Sequence, residues 1–554
     1  MNATPRPQSA PAVTLQAVAQ SAGVPAMPGG VARANIRRGA PVPVTGVTLD
    51  SRAIRPGDLY AALPGANVHG ARFVGAAVGL GAVAVLTDPA GAALLALKEI
   101  SVPVLVVPDP RAALGEVAAL IYGHASQRLT MLGITGTNGK TTTAYILDSA
   151  LRSLGLVTGL ISTVETRIGQ DTVKSVRTTP ESTDLHALFA VMLERGVDSC
   201  TMEVSSHALS LHRVDGVRFD VVAFTNLSQD HLDFHGSMED YFLAKASLFT
   251  PQRAVRAVVC VDDEWGRRLV LESGVPVVSI SSRPEVPADW QIQGTGPDAS
   301  DFELVGDGGR MSLRSALAGD FNRVNTGVAA LVLLAAGHPI DAIESALAAD
   351  PQVPGRMERV VAEGAPGAGA GQDTAARRMP LAFVDFAHTP DAVAAALKAL
   401  RHNTAGSLIV VLGAGGDRDA GKRAAMGAAA AAHADRVIVT DDNPRSEDPA
   451  TIRSAVLAGA CGEQGSARPP DWISEIGDRG AAIREAVSGA GAGDTVVVLG
   501  KGHESGQETA GVVHPFDDRA QLRAALMEHT ASMDQPAPGS QPAPGDQPAS
   551  GERR

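Results

Sequence analysis

Aromatic residues make up only 3 % of this 554-residue chain, so aliphatic side chains, chiefly Ala, Val and Leu, must fill its cores. Cysteine is almost missing. Cys200, Cys260 and Cys461 lie far apart and form no CxxC pair, which excludes a disulfide framework and a cysteine-rich zinc site and fits a reducing cytosol. An excess of basic residues is also absent: 47 Lys and Arg stand against 60 Asp and Glu, a net charge of −13. That balance argues against a nucleic-acid backbone or an anionic membrane as the main partner, and leaves room for a local basic site for a small anion. No apolar run is long enough for a membrane span. The longest, Val324 to Ile340, carries Asn325, Thr326 and His338 and reads as a buried helix. The first ten residues are polar with two prolines. They show no apolar core of a secretory signal and are expected to be disordered.

What is present is 45 % apolar residue content, enough for several cores, and a length suggesting roughly three or four domains. Short Val/Ile-rich runs alternate with Ala-rich helical stretches, at 82–88, 103–109, 221–226, 407–413, 436–441 and 495–500. Continuous apolar strands of this kind suit parallel sheets covered on both faces, so the fold class is α/β. Gly, Asp or Asn comes directly after many of them, and ligands of parallel sheets bind at the carboxyl ends of strands. Residues 362–376 and 533–554 are rich in Gly, Ala and Pro, and read as a flexible insert and a disordered tail. Boundaries are expected near 128 and 350, giving domains 1–128, 129–350 and 351–532.

The segment MLGITGTNGKTT (131–142) runs from an apolar strand into a Gly-rich turn, then Lys140, Thr141 and a helical stretch. Glycines let backbone N–H groups converge on phosphate oxygens, and the helix N-terminus adds positive dipole. Lys140 would reach the β- and γ-phosphates of ATP, and the Thr141 hydroxyl would touch Mg²⁺. The strict phosphate-loop pattern asks for Gly at 134, where this chain has Ile134. Further on, Glu203 in MEVSSHAL and His231 in TNLSQDHLDFHG each come after an apolar strand and offer oxygen and imidazole ligands for Mg²⁺. Lys245 lies on a helical stretch beginning near Met238; its spacing alone favours a solvated helix lysine. His231 and His235 at i,i+4 lack a third zinc ligand at the right spacing.

Taken together, twelve motifs in one order resemble the Mur ligase family: LDSR (49–52), GTNGKTT, RTTPES (177–182), MEVSSHAL (202–209), TNLSQDHLDFHG, GDFNRVNTGVAA (319–330), VPGRMERV (353–360), DFAHTPDA (385–392), GAGGDRDAGKR (413–423), TDDNPR (440–445), GKGHE (500–504) and FDDR (516–519). The resemblance implies three domains: an N-terminal one for the UDP end of a precursor, a central P-loop ATPase, and a C-terminal Rossmann-like one for an amino acid. It implies a cytoplasmic ligase that uses ATP and Mg²⁺ to add meso-2,6-diaminopimelate to the D-Glu carboxylate of UDP-MurNAc-L-Ala-D-Glu through an acyl phosphate, in peptidoglycan synthesis. Its partners would be these small molecules alone, with no nucleic acid, no membrane insertion, and a monomeric chain.

Residue by residue, the resemblance assigns Gly136, Thr137, Asn138, Gly139, Lys140, Thr141 and Thr142 to the ATP loop. Asn322 and Asn325 fall on the adenine side, Arg356 near the phosphates, and Asp385 and His388 among the nucleotide contacts. Glu203, His231 and Thr141 match Mg²⁺ ligands. Lys245 falls in YFLAKASLF, where the family's lysine is carboxylated on Nζ, which reverses the spacing-based reading. Leu49 and Ser51 match the uridine side; Thr178, Thr179, Ser205 and Arg213 match contacts along the MurNAc-dipeptide. Arg418, Asp442, Asn443, Pro444, Arg445, Gly500 and Glu504 match the diaminopimelate site, where Arg445 would clamp the distal carboxylate and Glu504 would accept from the ammonium. Phe386 stands where the family motif usually has tyrosine, and Leu211 where some relatives carry glutamine. Two alternatives share the fold. DNPR argues against an L-lysine-adding ligase, since lysine has no distal carboxylate. LDSR argues for a UDP-sugar over the folate of a folylpolyglutamate synthase. Intact Lys140, Glu203, His231 and Lys245 argue against a non-catalytic nucleotide-binding regulator.

Overall fold

The computed structural model describes residues 4–9, 11–24, 42–65, 67–96, 99–294, 300–362, 379–462 and 472–533. They fall into two compact units, within residues 1–354 and 355–554. The insert from 363 onward and the tail from 534 onward lie outside the described residues.

The first unit holds two large sheets. In the smaller, β1 (Gly46–Thr48), β2 (Asp58–Ala62), β3 (Ala84–Thr87) and β4 (Val104–Val106) pair in parallel in that order. Helix α1 (Pro110–Ile121) comes next, with Asp109 accepting from the Arg111 and Ala112 amides and proline in its first turn, a strong start signal. The expected disorder of the first ten residues is corrected for residues 4–9. Arg6 Nη1 bonds the buried Asp58 carboxylate at 2.6 Å, and the Gln8 and Ser9 amides donate to Glu194 at 3.0 and 2.9 Å. A buried carboxylate demands a counter-charge, and Arg6 supplies it, which pins the segment.

The larger sheet has eleven strands: β5 (Thr130–Thr135), then α2 (Lys140–Ser153), β6 (Thr158–Ile161), β7 (Glu165–Ile168), β8 (Asp171–Lys174), β9 (Ser199–Glu203), β10 (Phe219–Phe224), α3 (Met238–Ala246), β11 (Ala254–Cys260), β12 (Val277–Ser281), β13 (Trp290–Gly294), β14 (Asp301–Gly306) and β15 (Gly309–Arg314). The spatial order is β8-β7-β6-β9-β5-β10-β11-β12-β13-β14-β15. From β6 to β13 the pairing is parallel, and an antiparallel ribbon closes each edge. Alternation along β5 builds both faces. Leu132 and Ile134 join a core with α2 and α4 (Asp320–Ala335), while Met131 joins the core on the other face. The buried helix expected over 324–340 stops at Ala335. Gly337 adopts φ +99° and Pro339 precedes a second helix beginning at Ile340.

In the second unit, β16 (Glu358–Arg359), β17 (Leu381–Asp385), β18 (Leu408–Leu412), β19 (Arg436–Val439), β20 (Ile473–Glu475) and β21 (Thr495–Leu499) form a sheet in the order β16-β17-β21-β18-β19-β20. All but the edge strand β16 pair in parallel. Ile409, Val411, Val496 and Val498 pack on one face against α5 (Arg479–Ser488) and α6 (Asp518–Met533). A hairpin of β22 (Gly506–Thr509) and β23 (Val512–Pro515) lies after β21. The α/β class read from the sequence is the class observed.

Candidate active site

The carboxyl ends of β5, β9 and β10 lie side by side in the first unit. Ile134 pairs with Glu203 on one neighbour and with Ala223 on the other. This explains the departure from the strict phosphate-loop pattern: position 134 lies inside the strand, fully buried, and takes a core residue. The turn itself is Gly136–Gly139. Gly139 sits at φ +87°, where a side chain would be strained and would run into the Asn325 amide. Its neighbours fix it from β10. Thr225 Oγ1 donates to the Asn138 carbonyl at 2.6 Å, Asn226 Nδ2 to the same oxygen at 3.1 Å, and the Asn138 amide donates to Asn226 Oδ1 at 3.0 Å. The Thr137 amide donates to the Asn226 carbonyl at 2.9 Å, and its hydroxyl meets Tyr241 Oη at 3.1 Å.

Three predicted residues converge on this turn. Lys140 Nζ donates to the carbonyls of Gly136 and Thr137 at 2.9 and 2.8 Å. Lys245 Nζ, on α3, donates to the same Gly136 carbonyl at 2.7 Å and lies 4.6 Å over the Tyr241 ring. Lys245 is 1 % exposed, so the solvated-helix reading is wrong. Burial first, then the charge of Lys140, holds its amine well below the ordinary lysine range. Thr141 Oγ1 donates to Glu203 Oε1 at 2.9 Å. Thr163, a residue without any sequence signal, completes the cradle: its amide donates to Glu203 Oε1 at 2.7 Å and its hydroxyl to Oε2 at 3.2 Å. Thr142 is buried in the first turn of α2.

His231 takes a left-handed backbone (φ +56°) and packs its ring 4.8 Å from His207 and 6.2 Å from Tyr241. Burial first, then His207, Lys140 and Lys245, push its imidazole down to about 3, against the opposing pull of Asp230. It is therefore neutral at pH 7, the form that ligates metal. Asn322 and Asn325 are buried at the head of α4, joined at 3.1 Å, with Asn322 Nδ2 donating to the Ala318 carbonyl at 2.7 Å.

Beside Glu203, Thr179 Oγ1 donates to its carbonyl at 2.9 Å and accepts from the Ser205 amide at 3.1 Å, while Thr178 Oγ1 meets Thr163 Oγ1 at 3.1 Å. Arg213 pairs with Glu181 at 3.0 Å, and Arg111 and Arg177 reach the same carboxylate at 3.0 and 2.6 Å. Three guanidinium groups on one carboxylate leave excess positive charge suited to an anion; of the three, Arg213 alone is legible in the sequence. Leu49 packs beside the core of the smaller sheet, and Ser51 lies against Tyr60.

The second unit carries its own cluster. Asp385, at the end of β17, accepts from the Met357 and Ala387 amides at 2.7 and 2.8 Å, and burial raises its carboxyl above the usual range against the pull of Arg356. Arg356 stacks 4.2 Å over the Phe386 ring, and His388 Nδ1 lies 2.9 Å from the Phe386 carbonyl. Phenylalanine thus keeps the aromatic face that the arginine uses. Asp442, Asn443 and Pro444 are buried after β19. Arg445 sits at φ +53°, its amide donating to the Glu508 carbonyl at 3.0 Å and its carbonyl accepting from Ala510 at 2.6 Å. The hairpin β22–β23 therefore holds this backbone, and Nη1 donates to the Gly416 carbonyl at 2.6 Å. Asn443 Nδ2 donates to Glu504 Oε2 at 2.8 Å. Gly500, at φ +116°, faces Asp442, while Arg418 is exposed on the Gly415 loop. Two features escape sequence reasoning: Lys501, although it stands within GKGHE, and the fully buried Arg479–Asp518 pair.

Three family descriptions match the chain: "Mur ligase family, catalytic domain" over residues 43–122, "Mur ligase middle domain" over 134–333, and "Mur ligase, glutamate ligase domain" over 372–502. The chain is 56 % identical over 488 residues to the UDP-N-acetylmuramoyl-L-alanyl-D-glutamate–2,6-diaminopimelate ligase of Streptomyces avermitilis, covering 88 % of this chain and 93 % of that one. It is 53 % identical over 525 residues to the protein of the same name from Streptomyces coelicolor, covering 94 % and 98 %. A solved structure of a ligase of that name matches with a TM-score of 0.61 at 30 % identity, covering 94 % of this chain and 99 % of the other.

Proposed function

The chain belongs to the Mur ligase family, and from that premise we propose that it is the ATP-dependent ligase that joins meso-2,6-diaminopimelate to the D-Glu carboxylate of UDP-MurNAc-L-Ala-D-Glu during peptidoglycan synthesis. The observation that carries this reading is the 56 % identity over 88 % of the chain to a ligase named for these substrates.

A carboxylate resists attack by an amine because oxide is a poor leaving group. In the proposed reaction a carboxylate oxygen of D-Glu attacks the γ-phosphorus of ATP and the bond to ADP breaks. The amine nitrogen of diaminopimelate then attacks the acyl carbon, phosphate leaves, and the ammonium proton is lost as the amide forms. The protein's part is alignment and charge neutralisation. The amides of Gly136–Gly139 and the head of α2 would hold the phosphates, with Lys140 turning from the Gly136 and Thr137 carbonyls to the transferring group. Arg213, with Arg111 and Arg177, would hold the anionic dipeptide. Asn322 and Asn325 would support the adenine side of the nucleotide, and Arg356, Asp385 and His388 are proposed as nucleotide contacts.

The donor set beside the loop fits Mg²⁺: two hard oxygens, Thr141 Oγ1 and Glu203 Oε1, lie 2.9 Å apart, and His231 is neutral. Bound there, Mg²⁺ would offset phosphate charge. Lys245, buried with its amine disfavoured as ammonium, is the proposed site of carboxylation: the neutral nitrogen adds to carbon dioxide, loses a proton, and becomes an anion beside the metal site. Arg445 and Glu504 would read the distal carboxylate and ammonium of diaminopimelate. Among the described residues no helix is long and apolar enough to cross a membrane. The likeness to ligases of peptidoglycan precursors supports a cytoplasmic location, and we propose that the chain acts as a monomer.

The test is coupled phosphate release with ATP, Mg²⁺, UDP-MurNAc-L-Ala-D-Glu and a panel of amino acids, with product mass as readout. Release should require precursor and meso-diaminopimelate together. Rapid release from ATP and Mg²⁺ alone, or preference for L-lysine, counts against the reading.

A further inference from the structure

Two of the three loops of the second unit that carry residues assigned to diaminopimelate, DNPR after β19 and GKGHE after β21, are joined by one buried cation. Lys501 is fully buried. Its Nζ donates to Asn443 Oδ1 at 3.0 Å and to Glu504 Oε2 at 3.1 Å, and lies 3.8 Å from Asp442 Oδ1. Gly500 makes this possible. At φ +116° it turns the chain directly off β21, and any side chain there would collide with the Asp442 carboxylate.

The network fixes more than a charge pair. Asn443 Oδ1 accepts from both Lys501 Nζ and the Glu508 amide, the latter at 3.0 Å. Two donors on one atom identify it as the carbonyl oxygen, so the amide nitrogen must face Glu504, to which it donates at 2.8 Å. Glu504 is then held on one oxygen, Oε2, by two donors.

We infer that Lys501 is a positioning residue that sets amino-acid selectivity by holding the Glu504 carboxylate in its aim and Asn443 in a single orientation. The inference rests on the proposed diaminopimelate specificity. The buried Lys501 ammonium fixes where the Glu504 carboxylate points, and a carboxylate so aimed attracts only an amino acid with a distal ammonium. Lys501 itself need not touch the substrate.

The experiment is a double-mutant cycle of Lys501→Met and Glu504→Gln, reading KM and kcat for meso-diaminopimelate, ATP and the UDP-precursor. Wild type must first turn over meso-diaminopimelate; if it does not, the functional reading fails rather than this one. Lys501→Met should raise KM for meso-diaminopimelate about ten- to hundredfold, with KM for ATP and precursor within about twofold. In the Glu504→Gln background the same substitution should cost less than about threefold, because the carboxylate it aims is already gone. Losses that multiply independently, or equal rises in KM for all three substrates, overturn the proposal. Should Lys501→Met not fold, Lys501→Gln, which keeps a neutral donor, takes its place; if that also fails to fold, Lys501 is a stability element and the proposal falls.

Discussion

Replacing Asp518 by Asn isolates the cost of one buried charge. Asp518 and Arg479 are both inaccessible to solvent, and the guanidinium meets the carboxylate through two bonds of 2.7 Å. Its remaining donors reach the carbonyls of Leu499 at 2.9 Å and Asp441 at 3.3 Å, so it ties together the ends of β21 and β19. Asn is nearly isosteric but neutral, and leaves a buried guanidinium uncompensated. Such a loss costs about 3–5 kcal/mol, whereas replacing both partners by apolar residues can be neutral. With a urea slope of about 2 kcal/mol/M, the second unit should unfold about 2 M earlier. A chain of two units is not two-state as a whole, so a local reporter is needed. Trp472 belongs to this unit, and the other tryptophans are Trp265 and Trp290. In a Trp265→Phe, Trp290→Phe background, Trp472 fluorescence tracks the relevant transition. Arg479→Met with Asp518→Leu should recover most of the loss, less what the two carbonyls forfeit. A midpoint shift below about 0.3 M for Asp518→Asn would refute the argument, since the carboxylate would then contribute nothing that water or relaxation does not replace.

Arg445→Ala should lower kcat/KM for meso-diaminopimelate about 30-fold or more while L-lysine use changes much less; an equal fall for both amino acids would make Arg445 a loop-shaping residue. Lys245→Ala should abolish most activity and be partly rescued by short carboxylic acids, whereas Lys140→Ala should not be, because it removes a cation; full activity of Lys245→Ala would sink the carboxylation. His186 is buried, with Nε2 donating to the Asp215 carbonyl at 3.0 Å, and burial pushes it from 6.5 down to about 4. The unfolded chain binds the extra proton between these values, so this contribution is complete above pH 6.5 and fades as pH falls towards 4, by about 2 kcal/mol at pH 5. Urea melts of wild type and His186→Gln at pH 7.5 and 5.0 check it, and an unchanged pH dependence in the variant would count against it.

The strands and the polar residues at their carboxyl ends were legible in the sequence, because an unbroken apolar run and a turn glycine are local signals. Glu203 and Lys140 could be read for that reason. Lys245 shows where local reading fails: its buried amine meets the Gly136 carbonyl, 109 residues away, and only the family resemblance argued against a solvated lysine there. Thr163 had no signal at all, since a lone threonine after a short strand says nothing of a carboxylate 40 positions on. Arg479 carried no signal, and Asp518 stood only inside the FDDR motif, because a pair 39 positions apart leaves no local pattern. Arg6 was misjudged in the opposite sense, because a Pro-rich polar start gives no hint that Asp58 awaits a partner.

The side-by-side ends of β5, β9 and β10 carry a consequence for how this chain tolerates change in length. The distance from the Glu203 carboxylate to the phosphate loop is set by ladder register, with Glu203 opposite Ile134. Deleting one residue within Ser199–Glu203 would withdraw the carboxylate by about 3.3 Å and turn it to the opposite face of the sheet. No side-chain adjustment restores both. Insertions and deletions should therefore accumulate elsewhere in the chain, while the spacing from each of these three strands to its first polar residue stays invariant among active descendants. A deletion library scored for ligase activity would show three short intolerant windows, at the ends of β5, β9 and β10, separated by permissive sequence.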